Sequence, residues 1–516
     1  MVTSGPVSPL TPDPTLFLPE LVRSSVTTTA LSEDERRIAA YMAARLGDQR
    51  QGMLISDLYY RGMQAITWLG ISIPPELTTL RTVLGWVGTG IDALNERLDV
   101  QGFRFPDQQQ ADDELWDIWQ ANNLDAEHTL VHLDSTIFGT AYVVVGLDND
   151  GDPVITTESP IDMTAYTDTR SRETTCAYQT YIDVDPASES FGRQRAALYT
   201  RDATIHLLNT DKGWVVLTRD DHKTGQVPVV PFPNRQRTGV RVGTSEILPS
   251  WRNTMDRSCR AAVRLEVTAE LFSAPKMLLF GAKEKDFQNA DGSAKSAWQT
   301  YIGRVLALEA DENGNLPKVE RFAAENPDGL IKLIDHETRV MSGLTALSPD
   351  YLGIHSDGNP TSADAIRLSD FRIKRRADRK AVAYGNAWEQ VMRLALILRD
   401  GADHLPEGAE RLETDWAPTG IPTPAADTDA ITKQIQAGMI PTTSDVALAK
   451  VGWSAVERAR IANDQKAAEG EARLRAALTK QAPPQQPPTG TEQTTTQPAP
   501  NAVIADGNEP AGTLVR

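Results

Sequence analysis

The chain has 516 residues and carries 52 Lys and Arg against 70 Asp and Glu, which gives a formal net charge of −18. This acidity argues against non-specific binding of nucleic acid over the whole surface, because such binding needs a net basic protein. Any contact with DNA therefore has to be local. Only two cysteines occur, without paired spacing, and the longest apolar runs are strand-sized, which argues against a disulfide framework, a zinc site and a transmembrane segment.

Helices are predicted in the first part of the chain, after an N-terminal segment rich in Pro, Ser and Thr that we expect to be poorly ordered. Ser32 and Glu35 have the spacing of a capping box at the start of an amphipathic pattern. Further helical patterns cover residues 78–100 and 112–139. The glycines of "GWVGTG" (85–90) fall inside the first of these and indicate close helix packing.

Residues 138–232 change to an alternating apolar pattern, which predicts a β-rich region. The Asn-Asp-Gly sequence at 149–151 suits the positive φ values of a hairpin turn. The same arrangement recurs around Asp211 and Gly213. We therefore expect successive hairpins here, with helices before and after them.

Three helices are predicted after this region, at 245–272, 327–347 and 362–399. A small mixed segment separates the first two, and a polar loop containing Gly, Asn and Pro (348–363) separates the second and third. The third helix is long for a globular protein. Its apolar positions repeat every three or four residues: Ile373, Ala377, Ala381, Tyr384, Trp388, Met392 and Ala395.

The C-terminal part is expected to contain a smaller helical module at 402–478. From residue 481 onward the sequence is rich in Pro, Thr and Gln and has no aromatic residue, which is typical of disorder.

The motifs of common enzyme classes are missing. No GxxxxGK[ST] sequence is present to hold a triphosphate. His128 and His132 have the spacing of a zinc helix, but Thr129 stands where the catalytic Glu is required, so an ordinary surface or core helix is favoured. Ser245 does not fit the GxSxG pattern and is interpreted as a helix N-cap. We therefore expect no catalytic site, no metal and no cofactor.

Six phrases, which occur in the same order along residues 35–475, resemble the portal proteins of tailed bacteriophages. The type is that of long-tailed phages whose hosts are actinobacteria. The phrases are "LYYRG" (58–62), "ALNERLDVQGFRF" (93–105), "LWDIWQANNLDAEHTLVHLDSTIFGTAYVVVG" (115–146), "GQVPVVPFPNRQRTGVRVGTSEI" (225–247), "TAELFSAPKMLLFG" (268–281) and "YLGIHSDGNPTSADAIR" (351–367).

The resemblance implies an α+β, mainly helical fold of the portal type. It assigns a flexible N-terminus (1–30), a wing (31–243), a first stem helix (244–273), a small α/β clip (274–326), a second stem helix (327–347), a tunnel loop (348–363), a long wing helix (364–401), a helical crown (402–478) and a disordered tail (479–516). These bounds agree with the pattern of helices and strands derived above from the residues alone.

The resemblance also implies a function without enzymatic activity. Portal subunits form a ring, usually of twelve copies, at one capsid vertex, through which double-stranded DNA is packaged and ejected. The implied partners are the terminase large subunit, the major capsid and scaffolding proteins and later the head–tail adaptor, with no membrane. The location is the virion, after assembly in the host cytoplasm. The alternatives are another phage ring or head–tail connector component and, less favoured, a nucleic-acid-processing enzyme.

Two groups of candidate residues follow from this resemblance. On the second stem helix, Asp328, Lys332, Asp335 and Arg339 are spaced four, three and four, so they share one face that we expect to line the channel. In the tunnel loop, the expected flexible tip comprises His355, Ser356, Asp357, Gly358, Asn359 and Pro360. The alternatives are a solvated helix face and a tight helix connection.

The third group is an unusually basic stretch, "DFRIKRRADRK" (370–380), in an acidic chain. Arg372, Arg375, Arg376 and Arg379 are spaced i, i+3, i+4 and i+7, which predicts one basic face of the long helix. This face contacts either DNA or carboxylates of a neighbouring subunit. The second alternative is favoured because the rest of the chain offers many acidic groups.

Overall fold

The computed structural model describes residues 31–66, 82–106, 108, 110–272, 277–280, 318–321, 326–353, 363–420, 424–441, 444–453 and 455–480. The fold is mixed α+β, and the chain forms two compact units, Met1–Ile421 and Pro422–Arg516. The predicted flexible N-terminus (1–30) lies outside the described residues, and so does the predicted C-terminal tail from residue 481 onward, whereas residues 479 and 480 are helical.

The first helix packs on an antiparallel five-stranded sheet whose strands follow one another in chain order. The predicted capping box is confirmed, because the Ser32 hydroxyl accepts from the Glu35 amide and the Glu35 carboxylate accepts from the Ser32 amide. The elements are α1 (Glu33–Tyr60), β4 (Met163–Thr167), β5 (Thr174–Ile182), β6 (Gln194–Tyr199), β7 (Thr204–Thr210) and β8 (Gly213–Asp220).

A three-stranded antiparallel sheet lies against the other face of this sheet and contains the predicted first hairpin. Its turn is stabilised by the Asp148 carboxylate, which accepts from the amides of Asp150 and Asp152, and Gly151 adopts φ +91°. The strands are β2 (Thr140–Leu147), β3 (Pro153–Glu158) and β9 (Val229–Pro233), in the order β3-β2-β9.

Short helices surround these sheets and contribute to the main core. Gly90 packs against Thr345 and Trp251, and Gly88 lies close to the Tyr60 carbonyl, so these two of the three glycines of the "GWVGTG" phrase are explained by close packing. A strand near residue 415 pairs antiparallel with the strand Val100–Arg104. The elements are α2 (Trp86–Asn95), β1 (Val100–Arg104), α3 (Asp113–Ala121), α4 (Leu124–Phe138) and β12 (Glu413–Trp416).

Two helices, α5 (Pro249–Phe272) and α6 (Asp328–Thr345), pack closely against each other. Trp251 of α5 and Thr345 of α6 lie at the same level, because both contact Gly90. Six residues further along α5, Arg257 pairs with Glu337, which precedes Thr345 on α6 by eight residues. The two helices therefore run antiparallel. Between them in the chain, β10 (Met277–Phe280) and β11 (Lys318–Arg321) pair antiparallel, and the rest of the predicted clip lies outside the described residues.

The first of these helices begins later than expected. Helix α5 starts at Pro249, and Ser245 is not its N-cap. Instead, the Ser245 hydroxyl donates to the Ile137 carbonyl (2.6 Å) and accepts from the Ile247 amide (3.0 Å). A tertiary contact therefore holds this serine in the loop before the helix.

The long helix α7 (Ala363–Asp400) has 38 residues and runs through the main core. All seven apolar positions predicted to repeat along it are buried, which confirms the predicted packing face. After α7 the chain returns to the same unit, because β12 pairs with β1. The predicted helical module therefore differs at its start, where residues 402–420 form turns and a strand of the larger unit.

The smaller unit consists of helices in its described part. They are α8 (Pro424–Gln436), α9 (Asp445–Val451) and α10 (Ala455–Lys480). Much of α10 is exposed and carries ion pairs between successive turns, Arg473 with Glu469 and Arg475 with Glu471. Across the described parts of both units, no helix combines the length and apolarity needed to cross a bilayer.

Candidate functional site

The pair of helices α5 and α6 presents one packed face and one exposed face. Thr338, Met341 and Thr345 are buried on α6, and Glu337 is buried with them. The Arg257 guanidinium donates two hydrogen bonds to the Glu337 carboxylate, at 2.9 and 2.8 Å. This bidentate pair fixes the rotation of α6 against α5, because both nitrogens have to meet both oxygens.

The four residues predicted to line a channel share the opposite, exposed face of α6. Asp328, Lys332, Asp335 and Arg339 are all exposed. Among the described residues, no ion pair engages Lys332, Asp335 or Arg339. The arrangement leaves these charges directed to solvent, and their role as a channel lining stays a prediction.

The apolar side chains of α6 divide in the same way. Ile334 packs against the core, whereas Ile331 is 43% exposed on the side of the charged residues.

Only the beginning of the predicted tunnel loop lies within the described residues. Pro349–Leu352 forms a single 3₁₀ turn, in which Leu352 is buried. The candidate tip, His355 to Pro360, lies outside them, so its function stays a prediction.

The predicted basic face of α7 divides into a part that contacts the end of α6 and a part that faces solvent. Arg376 turns inward, donating to the carbonyl of Thr345 at 2.6 Å and to the Glu246 carboxylate. Arg372 donates to the Gly343 carbonyl at 3.2 Å. These two arginines therefore bind the C-terminal end of α6, where free carbonyls and the helix dipole favour a cation.

Glu246 is the centre of a buried ion cluster. Its side chain is 1% exposed and faces Lys380 at 3.6 Å, Arg235 at 3.3 Å and Arg376. The Asn234 amide also donates to it at 3.3 Å. The cluster joins the β9–α5 connection, α7 and, through Arg376, the end of α6.

The protonation of this cluster follows from its charges. Burial alone would raise the pKa of Glu246, but Lys380, Arg376 and Arg235 outweigh it and the pKa is lowered. Burial also lowers the pKa of Arg376, an effect that Glu246 opposes. Three cations thus surround one carboxylate, and the Glu246 side chain stays ionised at neutral pH.

The exposed part of the basic face lies on the solvent side of α7. Arg375 is 61% exposed and makes a 3.7 Å pair with Asp378 one turn away, a geometry that contributes little stability. Arg379 is exposed and forms no ion pair with a described residue. These two arginines are available to an external partner, and their role in a subunit interface or in DNA contact stays a prediction.

The histidines that resemble a zinc helix belong to an aromatic core. His132 stacks on Tyr384 with ring centroids 4.8 Å apart, and its Nε2 accepts from the Trp388 indole at 2.9 Å. Burial lowers the pKa of His132 well below its ordinary value, which keeps the ring neutral. Within the described residues, no three His, Cys, Asp or Glu side chains are grouped so as to hold a metal ion.

Glu246, the centre of the buried ion cluster, is not indicated by the sequence. It is separated from Arg376 by 130 positions, and neither a motif nor a periodic pattern links the two. In the sequence it is a glutamate between Ser245 and two apolar residues, and this local pattern does not reveal that the side chain is buried.

Comparisons with known proteins agree with this architecture. A family described as "Phage portal protein, SPP1 Gp6-like" matches residues 48–471. The portal protein of Mycobacterium phage D29 is 33% identical over 444 residues, which cover 84% of this chain and 88% of that protein. The portal protein of Mycobacterium phage L5 is 32% identical over 434 residues, covering 83% and 87%. Since these matches extend over most of the sequence, the chain belongs to the SPP1 Gp6-like family of phage portal proteins.

Proposed function

We propose that copies of this chain assemble into a ring of about twelve subunits at one capsid vertex, through which double-stranded DNA enters and leaves the capsid. The antiparallel α5–α6 pair is the observation that supports this most directly. One side of α6 is fixed to α5 by the Arg257–Glu337 pair, and its other side carries exposed charges that form no ion pair with a described residue. In a ring, that second side faces the central passage.

The charge of the chain suits a passage that releases its cargo. Each Lys or Arg that neutralises a phosphate adds affinity for DNA, so a lining dense in such groups would hold the duplex in place. A chain with a net charge of −18 repels phosphates instead. On α6, Lys332 and Arg339 alternate with Asp328 and Asp335, so positive rings are weak and local.

The remaining parts have roles that follow from their positions in the chain. The clip (274–326) contacts the terminase large subunit during packaging and the head–tail adaptor afterwards. The wing (31–243) faces the major capsid and scaffolding proteins. The crown contains helices α8 to α10. The chain itself acts as a conduit and not as an enzyme, in the virion and earlier in the host cytoplasm where the ring assembles.

The tunnel loop (348–363) narrows the passage. In this role, its tip (355–360) is the segment that contacts DNA. Deleting residues 355–359 should leave ring assembly intact while genome packaging or retention falls. Normal packaging by that variant would remove this role.

Electron microscopy of the purified full-length chain in negative stain tests the proposed function. We expect wide rings with a central hole. A chain that stays monomeric at every concentration reached in the assay would refute the proposal, and closed shells or filaments would indicate a different capsid component.

A further inference from the structure

The exposed side of α7 combines arginines with apolar side chains. Phe371 is 57% exposed and Val382 is 67% exposed. Together with Arg375 and Arg379 they lie within about a quarter of a helical turn of one another, at 3.6 residues per turn. We call these four residues the exposed arc of α7.

This composition favours a protein partner over DNA. Arginine and aromatic residues are enriched where proteins bind proteins, and burying an exposed Phe releases a favourable hydrophobic free energy. A phosphate backbone offers no apolar surface to Phe371 or Val382. The exposed arc therefore matches a surface that is both apolar and acidic.

The opposite end of the same helix borders a pocket with this chemistry. The acidic pocket has a volume of about 380 Å³ and is lined by Phe105, Leu115 and Leu396 and by the carboxylates of Asp112, Glu114 and Glu407. Asp112 and Glu114 already accept from Gln108 and Arg399, at 3.2 and 2.6 Å. Its volume exceeds that of one phenylalanine side chain. Glu407 is exposed, and its side chain has no partner among the described residues.

A single copy of the chain cannot bring the exposed arc into its own pocket. Phe371 and Leu396 lie on one continuous helix, about 37 Å apart at 1.5 Å per residue. Two complementary surfaces at separate places on one compact unit produce head-to-tail contacts between copies, and such contacts close into rings when the rotation between copies divides a full turn.

We propose that the exposed arc of one copy seats on the acidic pocket of the next, with Phe371 entering the pocket and Arg375 and Arg379 facing its carboxylates. This inference rests on the proposed ring and adds the pair of surfaces that closes it. Unlike charges at both ends of α7 also set the direction in which copies join.

Reciprocal charge reversal tests the pairing. The arc variant carries Arg375→Glu and Arg379→Glu, and the pocket variant carries Glu407→Lys and Glu410→Lys. Glu410 is exposed and follows Glu407 by three residues, and neither substitution of the second pair breaks a described side-chain contact. Native mass spectrometry and negative-stain microscopy of the full-length chain then measure the fraction of protein in rings.

For each variant alone, the fraction of protein in rings should fall at least tenfold, because like charges meet at every interface. An equimolar mixture should restore them, since an arc variant and a pocket variant can alternate around the ring. Phe371→Ala should also reduce assembly. The matched control, Arg170→Glu with Lys212→Glu, changes net charge as the arc variant does but on the five-stranded sheet, and it should form rings normally.

The outcomes separate this inference from the proposed function. If the unmodified chain forms no rings, the proposed function fails. If it does, the inference is overturned when either single variant still forms rings, or when the mixture does not recover them. Intact rings of the arc variant that retain less DNA would assign Arg375 and Arg379 to DNA contact.

Discussion

Replacing Glu246 with Gln removes the only carboxylate of the buried ion cluster and keeps the shape of the side chain. Arg376 and Lys380 then remain in the interior, with 26% and 9% of their side chains exposed. Lys380 cannot be hydrated without moving α7 away from the β9–α5 connection, whereas Arg376 already has partial contact with solvent. The substitution therefore leaves two cations without a counter-charge.

The structure sets the size of the effect. Removing one partner of a buried ion pair costs about 3–5 kcal/mol. Arg376 keeps its hydrogen bond to the Thr345 carbonyl and Lys380 keeps the side-chain oxygen of Asn234, so we expect about 3 kcal/mol, at the lower end of that range. Arg235→Gln is the matched control. Its side chain is 39% exposed, and its loss should cost less than about 1 kcal/mol.

Hydrogen exchange in the native state measures this locally. The Thr244 and Glu246 amides are bonded to the carbonyls of Asn234 and Thr136, at 2.8 and 3.0 Å. If the free energy of local opening falls by about 3 kcal/mol in the variant, exchange of these amides should be faster by on the order of 100-fold. Exchange within threefold of the unmodified chain would refute the reasoning, as would an equal effect of Arg235→Gln.

The pH dependence has a definite sign. Because the folded-state pKa of Glu246 is lowered from its ordinary value of 4.5, its stabilising contribution is complete above that value and is lost as the pH falls through the lowered pKa. Exchange of the unmodified chain should therefore approach that of the variant only in acid, below pH 4.5.

Three further predictions concern other parts of the unit. Gly243 has φ +96°, and a Cβ there would lie 2.0 Å from a backbone carbonyl oxygen. Gly243→Ala should therefore lower the unfolding free energy, measured in urea, by about 3 kcal/mol or more. Gly239→Ala, whose Cβ meets nothing within 4 Å, should lower it by under about 1 kcal/mol, and equal losses would contradict the steric argument. Glu337→Gln weakens the bidentate contact between α5 and α6 and should lower the unfolding free energy by about 1–3 kcal/mol. Thermal melting measures this change, and a melting curve identical to that of the unmodified chain would contradict the prediction. Lys332→Glu combined with Arg339→Glu should leave rings intact in microscopy and change the retention of packaged DNA, whereas loss of rings would place both residues in the subunit interface.

Local patterns in the sequence were sufficient for most helices and hairpins. The capping box at Ser32 and the buried positions of α7 depend on residues within a few turns of each other, and both are confirmed. The hairpin at Gly151 follows from the positive φ that its turn requires. These features arise from short-range geometry, which spacing alone describes.

Features that depend on distant partners were not predictable in the same way. Ser245 has the composition of a helix cap, yet it bonds to the carbonyl of Ile137, 108 positions earlier. Arg376 falls within a basic face by periodicity, but its position at the edge of that face lets it reach Glu246 in the interior. Periodicity identifies which side of a helix a residue occupies, and the surrounding fold decides whether that side meets solvent or a partner.

The anchoring of α6 by α7 has a consequence for engineering. Arg372 and Arg376 hold the last carbonyls of α6 from the first half of α7, so both ends of the intervening segment are tied together by contacts outside it. The spacing of its two attachment points is thus independent of how many residues it contains. Foreign peptides, fluorescent labels or affinity tags grafted between residues 354 and 362 should therefore leave the frame of both helices undisturbed.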